Sequence, residues 1–391
     1  FTLQATRFDG VRQQQFVVTD PRILDLFPGV PSIETLRAFA IRQTTRRVAP
    51  DARPPYTMQT SVSVERLLPL KLLLTTTFTN TRALHVLRSR NINAPLPGTF
   101  QAGVNGSGVR PFVDLGNIFQ YETGGRFRQN QLAFALSKRF NPRLSLTGGY
   151  TLNKAETDTD GAGAFPADTY DLSSEMGRAV TDVRHHLTLT GTIDAPWGMR
   201  LSPLIVATSG RPFNITTGRD TNGDTLFTER PAFAIEPGKT GVVVTRYGAF
   251  DPNPAPGQRL IPRNYADGPS FFLVNLRLSR SFNFSGIGDL VRRRANGGHG
   301  NTNNSGGAGG KSGADNNNKA RPAANRAERI YSLTFSVQAQ NLLNHTNAGI
   351  PVGNLRSTFF GQSNTLARGF GFGDRPSAGN RRVEAQVTLR F

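Results

Sequence analysis

Long segments that alternate apolar and polar side chains recur along this chain, and the links between them alternate in length. Successive side chains of a strand point to opposite faces, so each such segment dictates a two-faced strand. MQTSVSVERLL (58–68) sets Val62 and Val64 against Ser61, Ser63 and Glu65. RQNQLAFALSKRF (128–140) sets Leu132, Phe134 and Leu136 against Gln131, Ala133, Ala135 and Ser137. The same pattern returns in VRHHLTLTGTIDA (183–195), FFLVNLRLSRSF (271–282), YSLTFSVQAQN (331–341) and the terminal RRVEAQVTLRF. We count roughly ten strands of about 9–14 residues, which suits a tilted bilayer crossing of about 9–11 residues better than the usual globular strand of about 5–6.

Short turns fall at Pro69, at Asn141-Pro142-Arg143 and at Pro196-Trp197-Gly198. The other links are long and polar: 8–56, 91–127, 156–182, 210–269 and 342–381. Long loops at one end and tight turns at the other are the pattern of an antiparallel transmembrane β-barrel, with the loops outside the cell and the turns in the periplasm. The expected fold class is therefore all-β. The exception to the two-ended pattern is 285–330, a Gly/Asn/Ser-rich low-complexity insert that parity assigns to the periplasmic side. Two local elements are expected within the long links. PSIETLRAFAIRQ (31–43) reads as a short amphipathic helix, and NIFQYETGGRF (117–127) as a hairpin turning at Gly124-Gly125.

Composition narrows the alternatives. The 391 residues contain no cysteine, which removes disulfides and thiolate metal sites. No stretch approaches the roughly 18 continuous apolar residues of a membrane-spanning helix, and mean hydropathy is −0.36. A barrel escapes that test, because only alternate residues meet lipid. A net charge of +19 raises nucleic acid as a partner. The arginines are dispersed along the chain, however, and the expectation is no nucleic-acid binding. A soluble basic β protein that binds nucleic acid is the third reading.

Few motifs carry chemistry. Asp220-x-Asn222-x-Asp224 has the spacing that opens a calcium loop. Thr225 replaces the usual glycine and Glu229 falls out of register, so a polar Asx turn is the competing reading. Calcium at these three residues is the one cofactor considered; otherwise none is expected. His185 and His186 are adjacent and face opposite ways in a strand, which is poor geometry for a shared metal. TDTDGAGAFPADTYDLSSE (157–175) reads as an exposed, solvated acidic loop. No nucleophile, phosphate loop or carboxylate pair stands out, and no enzymatic activity is expected. Arg66, Arg277 and Arg390 are assigned to the polar sides of their strands, where they would line a lumen and favour anions. Cross-strand charge balance, by residues such as Glu65 and Glu384, is the alternative. The alternating end, with Val387, Leu389 and the terminal Phe391, fits a signal read by the barrel-insertion machinery.

NAPLPGTF (93–100), YDLSSEMGRAVTDVRHH (170–186), APWGMRLSP (195–203), SGRPFNITTGRDTNGDTLFTERPAF (209–233), IPRNY (261–265) and QAQNLLNHTN (338–347) resemble the C-terminal part of Oar-like TonB-dependent receptors. The resemblance implies a 22-strand barrel in the outer membrane, with a plug inside and TonB supplying energy. By this reading residues 1–391 form the C-terminal part of such a barrel, FTLQATRF (1–8) is one of its middle strands, and the plug, the TonB box and the N-terminal domains lie elsewhere. The implied function is capture of a solute, a saccharide or peptide by analogy, on extracellular loops, with 157–182 and 210–269 the chief candidates. The implied partners are outer-membrane lipid, the insertion machinery and TonB. An adhesion or structural barrel without transport is the alternative.

Overall fold

The computed structural model describes residues 43–285, 330–367 and 379–390, apart from 103, 105–106, 114 and 256–257, together with 18, 20–25 and 29–37. The expected strand FTLQATRF, nearly all of the 285–330 insert and the terminal Phe391 lie outside the described residues.

Nine long strands form one antiparallel meander: β1 (Tyr56–Leu68), β2 (Leu72–Asn91), β3 (Ile118–Asn141), β4 (Leu144–Thr157), β5 (His185–Ala195), β6 (Met199–Thr208), β7 (Phe271–Ser285), β8 (Ile330–Gln340) and β9 (Arg382–Arg390). Each pairs with its sequence neighbour, so every wall connection is a simple up-and-down link. Two short pieces extend the sheet: Thr45–Val48 runs parallel to the start of β3, and Gly177–Arg178 pairs with the end of β4. Among the described residues the outer edges of β1 and β9 have no strand partner, and the sheet is an open wall.

Register makes the wall two-faced. Directly opposed residues share a face. One row runs Leu74, Leu136, Gly148, Leu189, Ile205, Val274. The same face continues through Leu278, Val337 and Ala385, and through Phe335 and Val387. The opposite face carries Glu65 against Thr75 and the row Ser202, Arg277, Gln338, Glu384. Among the described residues no helix or second sheet covers the apolar face: Val383 and Val387 are each 62% exposed and Leu389 is 59% exposed. A continuous apolar face of this extent is not tolerated in water, and it is the surface a bilayer requires. Phe140, Trp197 and Phe284 are exposed close to the short-turn end, where barrels place aromatic girdles.

Register corrects one expectation. Arg66 does not belong to the polar side: it stands opposite Leu74, in the row of Leu136, and shares its face with Val62 and Val64. Arg66 is two residues from Val64, and strand alternation places both on one face. It lies close to the turn at Pro69–Lys71, where a long side chain carries its guanidinium to the interface while its stem stays in the apolar layer. Arg277 and Arg390 do lie on the polar face; Arg277 donates to Ser336 Oγ at 3.2 Å, and Arg390 stands opposite Ser332.

The hairpin expected at Gly124-Gly125 is also overturned. β3 runs through it unbroken, because β2 extends far enough to pair with Phe119 through Gly125. The glycines serve close approach instead. A Cβ at Gly125 would lie 2.6 Å from the Val86 carbonyl oxygen, beside a register shift between Leu84 and Arg88. The helix expected at 31–43 is confined to Ile33–Arg37 among the described residues. The short turns follow the sequence. Pro69–Lys71 and Pro196–Gly198 each set a proline first, and the next residue, Leu70 or Trp197, adopts a positive φ.

Among the described residues the larger hydrophobic cluster lies outside the wall, and a smaller one, Phe271 and Leu273 with Val206 and Ala367, sits on its polar face. Phe213, Ile215, Phe250, Ile261 and Ala266 are buried together, and all belong to the link between β6 and β7. The long links thus form a folded layer at one end of the sheet. Val387→Arg should destabilise the lipid-embedded protein by about 2–4 kcal/mol, against about 0.5 kcal/mol for Gln386→Arg on the polar face. Urea unfolding from phosphatidylcholine vesicles measures both; equal effects would refute the face assignment.

Candidate functional site

The four long links, between β2 and β3, β4 and β5, β6 and β7, and β8 and β9, interlock through buried polar side chains. Asn91, at the tip of β2, is fully buried. Its amide donates to Asn117 Oδ1 at 3.0 Å and to the Asp224 carbonyl at 3.2 Å, and its Oδ1 accepts from the Asn93 and Ile118 N–H groups. Asn93 donates to the carbonyls of Phe112, Leu115 and Gly116. Asn347, in the last link, donates to the Phe272 carbonyl at 2.9 Å and accepts from its N–H at 2.7 Å. A loop backbone away from water needs such partners, and side-chain amides supply both a donor and an acceptor.

A charged knot ties the second link to the third. Glu175 and Arg230 are each 1% exposed at the side chain and pair at 2.9 Å. Arg263 bonds the other Glu175 oxygen at 2.8 Å and reaches Asp160 at 3.1 Å. Arg230 also donates to the Ser174 carbonyl, and Glu175 accepts from the Ala167 N–H. Beside it, Asp182 accepts from Arg178, Arg184 and the Ala155 N–H. The segment 157–175 is therefore not the solvated acidic loop expected: Thr159, Ala167, Thr169 and Glu175 are buried in it. The sequence offered no sign that Arg230 and Arg263, distant along the chain, would converge on Glu175.

The calcium-spaced turn is part of the same layer. Asp220 accepts from the Gly223 and Thr225 N–H groups, Asn222 Oδ1 from the Asp224 N–H, and Asp224 from the Leu226 N–H. These are the Asx-turn bonds expected. The fold adds Glu229, which sequence spacing alone set aside. It curls back to accept from the Thr221 N–H at 2.7 Å, and one carboxylate oxygen from each of Asp220, Asp224 and Glu229 lies within 4.8 Å of the other two. Burial pushes the Asp224 carboxyl up to about 6 and the Glu229 carboxyl up to about 7, with the neighbouring carboxylates adding to both. Asn222 also donates to the Ala167 carbonyl at 3.4 Å. An open groove of about 830 Å³ reaches this cluster, lined by Phe100, Arg110, Asn117, Asp220 and Thr225.

A second opening lies where the polar face meets the layer. It is a crevice of about 220 Å³ lined by Thr208, Arg211, Phe271, Ile350 and Leu366. Thr208 Oγ1 is buried there without a hydrogen-bond partner. His185 and His186 face opposite sides as expected, and the Tyr150 hydroxyl lies 2.8 Å from His185 Nδ1.

The family model for an outer membrane beta barrel domain matches residues 8–293. The chain belongs to that family. It is an outer-membrane protein, and its apolar face is accordingly the lipid face and its polar face the lumen side. Its short turns point to the periplasm and its loop layer to the outside. Among solved structures it is similar to the outer membrane transporter YddB from Escherichia coli, with 9% identity and a TM-score of 0.42 over 90% of this chain. The chain spans 34% of that transporter's length. No curated protein matches it in sequence.

Two outcomes are expected for this outer-membrane barrel protein. Glu175→Gln leaves two guanidinium groups facing a neutral amide in a buried site and should cost the layer about 3–5 kcal/mol. Hydrogen exchange should then show protection around Ala155–Asp182 falling by about a hundredfold or more, with the strands unchanged; unaltered protection would contradict the role of the knot. The second concerns pH. Asp224 and Glu229 carry folded-state values above their ordinary 3.8 and 4.5. Their contribution is therefore fully present below about pH 4 and lost as pH rises through 6 to 7. In metal-free buffer, protection of 217–231, corrected for intrinsic exchange, should be higher at pH 5 than at pH 8; the reverse order would contradict the burial of these acids.

Proposed function

We propose that this chain is the C-terminal part of the wall of an Oar-like, TonB-dependent outer-membrane receptor, whose extracellular layer captures a solute and whose lumen passes it inward. The observation that carries this reading is the layer itself. The long links are not independent flexible loops but one packed body with its own core and buried ion pairs, set over the lumen side of the wall. A preorganised surface of this kind suits ligand recognition, because little order remains to be imposed on binding. The crevice at Thr208 supports a contact point: an apolar wall with one unpartnered hydroxyl fits a small group that offers a polar edge, as a saccharide or peptide does.

Energy coupling through TonB rests on the resemblance of the loop motifs. The absence of a catalytic motif in the sequence supports transport over a reaction on the solute. The experiment is uptake of labelled oligosaccharide and peptide pools by cells carrying the complete protein, with and without TonB. Accumulation of one pool that disappears without TonB is expected. Accumulation that is equal in both cells, or absent in both, would overturn energy-coupled transport.

A further inference from the structure

Three acidic side chains of one extracellular loop converge at Asp220, Asp224 and Glu229. The knot next door makes no hydrogen bond to them: Arg230 spends its two terminal nitrogens on Glu175 and Ser174, and its Nε, though buried, donates to none of the three acids. Glu229 decides the matter. It is 8% exposed, and although its Oε1 accepts from the Thr221 N–H, its Oε2 is buried with no hydrogen-bond partner. A buried carboxylate oxygen without a donor is costly and needs a counter-charge. Among the described residues no group donates to that oxygen, and the other acids of the cluster add negative charge beside it.

We propose that Asp220, Asp224 and Glu229 bind a calcium ion. All the donors are carboxylate oxygens, with no imidazole or thiolate, which selects a hard cation over zinc or copper. The cluster is irregular and lies in one loop, which suits the adaptable shell of calcium better than the strict octahedron of magnesium. The Asx-turn bonds do not exhaust the ligands: each carboxylate oxygen that accepts one N–H keeps a second lone pair. Asp220 is part-exposed and lines the large groove, so the ion and its waters have a path from outside. The site lies on the external side, where extracellular calcium modules bind at about 0.1–1 mM.

Binding here would act on the whole layer. The same turn is docked onto its surroundings by backbone and hydroxyl groups: Asn91 donates to the Asp224 carbonyl, Arg110 to the Gly223 carbonyl at 3.0 Å, and Asn117 to Thr225 Oγ1 at 2.7 Å. An ion that fixes the three carboxylates therefore fixes the third link against the tip of β2 and the first link. This role is independent of whether the barrel transports a solute.

The test is a calorimetric titration of the detergent-solubilised full chain with calcium chloride and, separately, magnesium chloride, followed by hydrogen exchange of 217–231. Calcium should bind at about 0.1–1 mM, with magnesium at least about tenfold weaker, and should raise protection of that segment. Glu229→Gln and Asp220→Asn should each weaken calcium about tenfold or more, while Asp171→Asn, at an exposed acid of the neighbouring link, should leave it unchanged. In metal-free buffer Glu229→Gln should keep or exceed the parent's protection, because it removes an uncompensated charge. No calcium binding up to about 10 mM, undiminished binding by Glu229→Gln, magnesium binding as tight as calcium, or loss of metal-free protection in that variant would each overturn the site.

Discussion

Backbone hydrogen bonding in lipid is the constraint on which this structure depends. A bilayer core offers no water, so every N–H and C=O of a crossing segment must be paired by a neighbouring strand. That pairing fixes register, and register fixes faces: a slip of one residue would carry the whole row of Val337, Ala385 and its neighbours into the lumen. The meander with tight turns at Pro69–Lys71 and Pro196–Gly198 holds that register strand by strand. Across the lipid-facing rows the hydrophobic effect acts between sheet and lipid; on the other face, among the described residues, a small cluster of Phe271 and Leu273 is buried with Val206 and Ala367 near the loop end.

The external layer solves the opposite problem. There the chain is irregular and carries many polar groups away from water, so order comes from specific partners. Buried asparagines bond loop backbones, and Glu175 with Arg230 and Arg263 joins two links far apart in sequence. A small aromatic and aliphatic core around Phe250 and Ile261 completes it. Wall and layer thus meet at the strand tips: Asn91 ends β2 and holds both the first and third links. A change at the layer's polar centre should consequently loosen recognition while leaving the barrel wall intact.

The wall was legible because lipid imposes period two, and period two survives in single residues such as Leu278, Val337 and Val387. Arg66 is the exception: its charge suits a lumen, yet its spacing from Val64 and its pairing with Leu74 both set it on the lipid face. Gly124 and Gly125 resembled a turn, but glycine serves close approach as well as reversal, and the choice was made by the unseen length of β2. The loop layer was legible in its motifs but not in its contacts. The stretches that carry the resemblance contain Asn93, Glu175, Asp182, Arg230 and Arg263, yet nothing in their spacing says that they touch. Glu229 likewise sits outside any calcium-loop spacing and joins Asp220 only because the chain curls back through Thr221.

The central claim is that lipid touches alternate residues of these strands. Single cysteines placed in turn at 383 through 389, each carrying a small fluorophore, report it directly in vesicles containing quencher-labelled lipid. Strong quenching at 383, 385, 387 and 389, with weak quenching at 384, 386 and 388, is the result this account predicts. Uniform quenching along the segment, or strong quenching at the even positions, would contradict it.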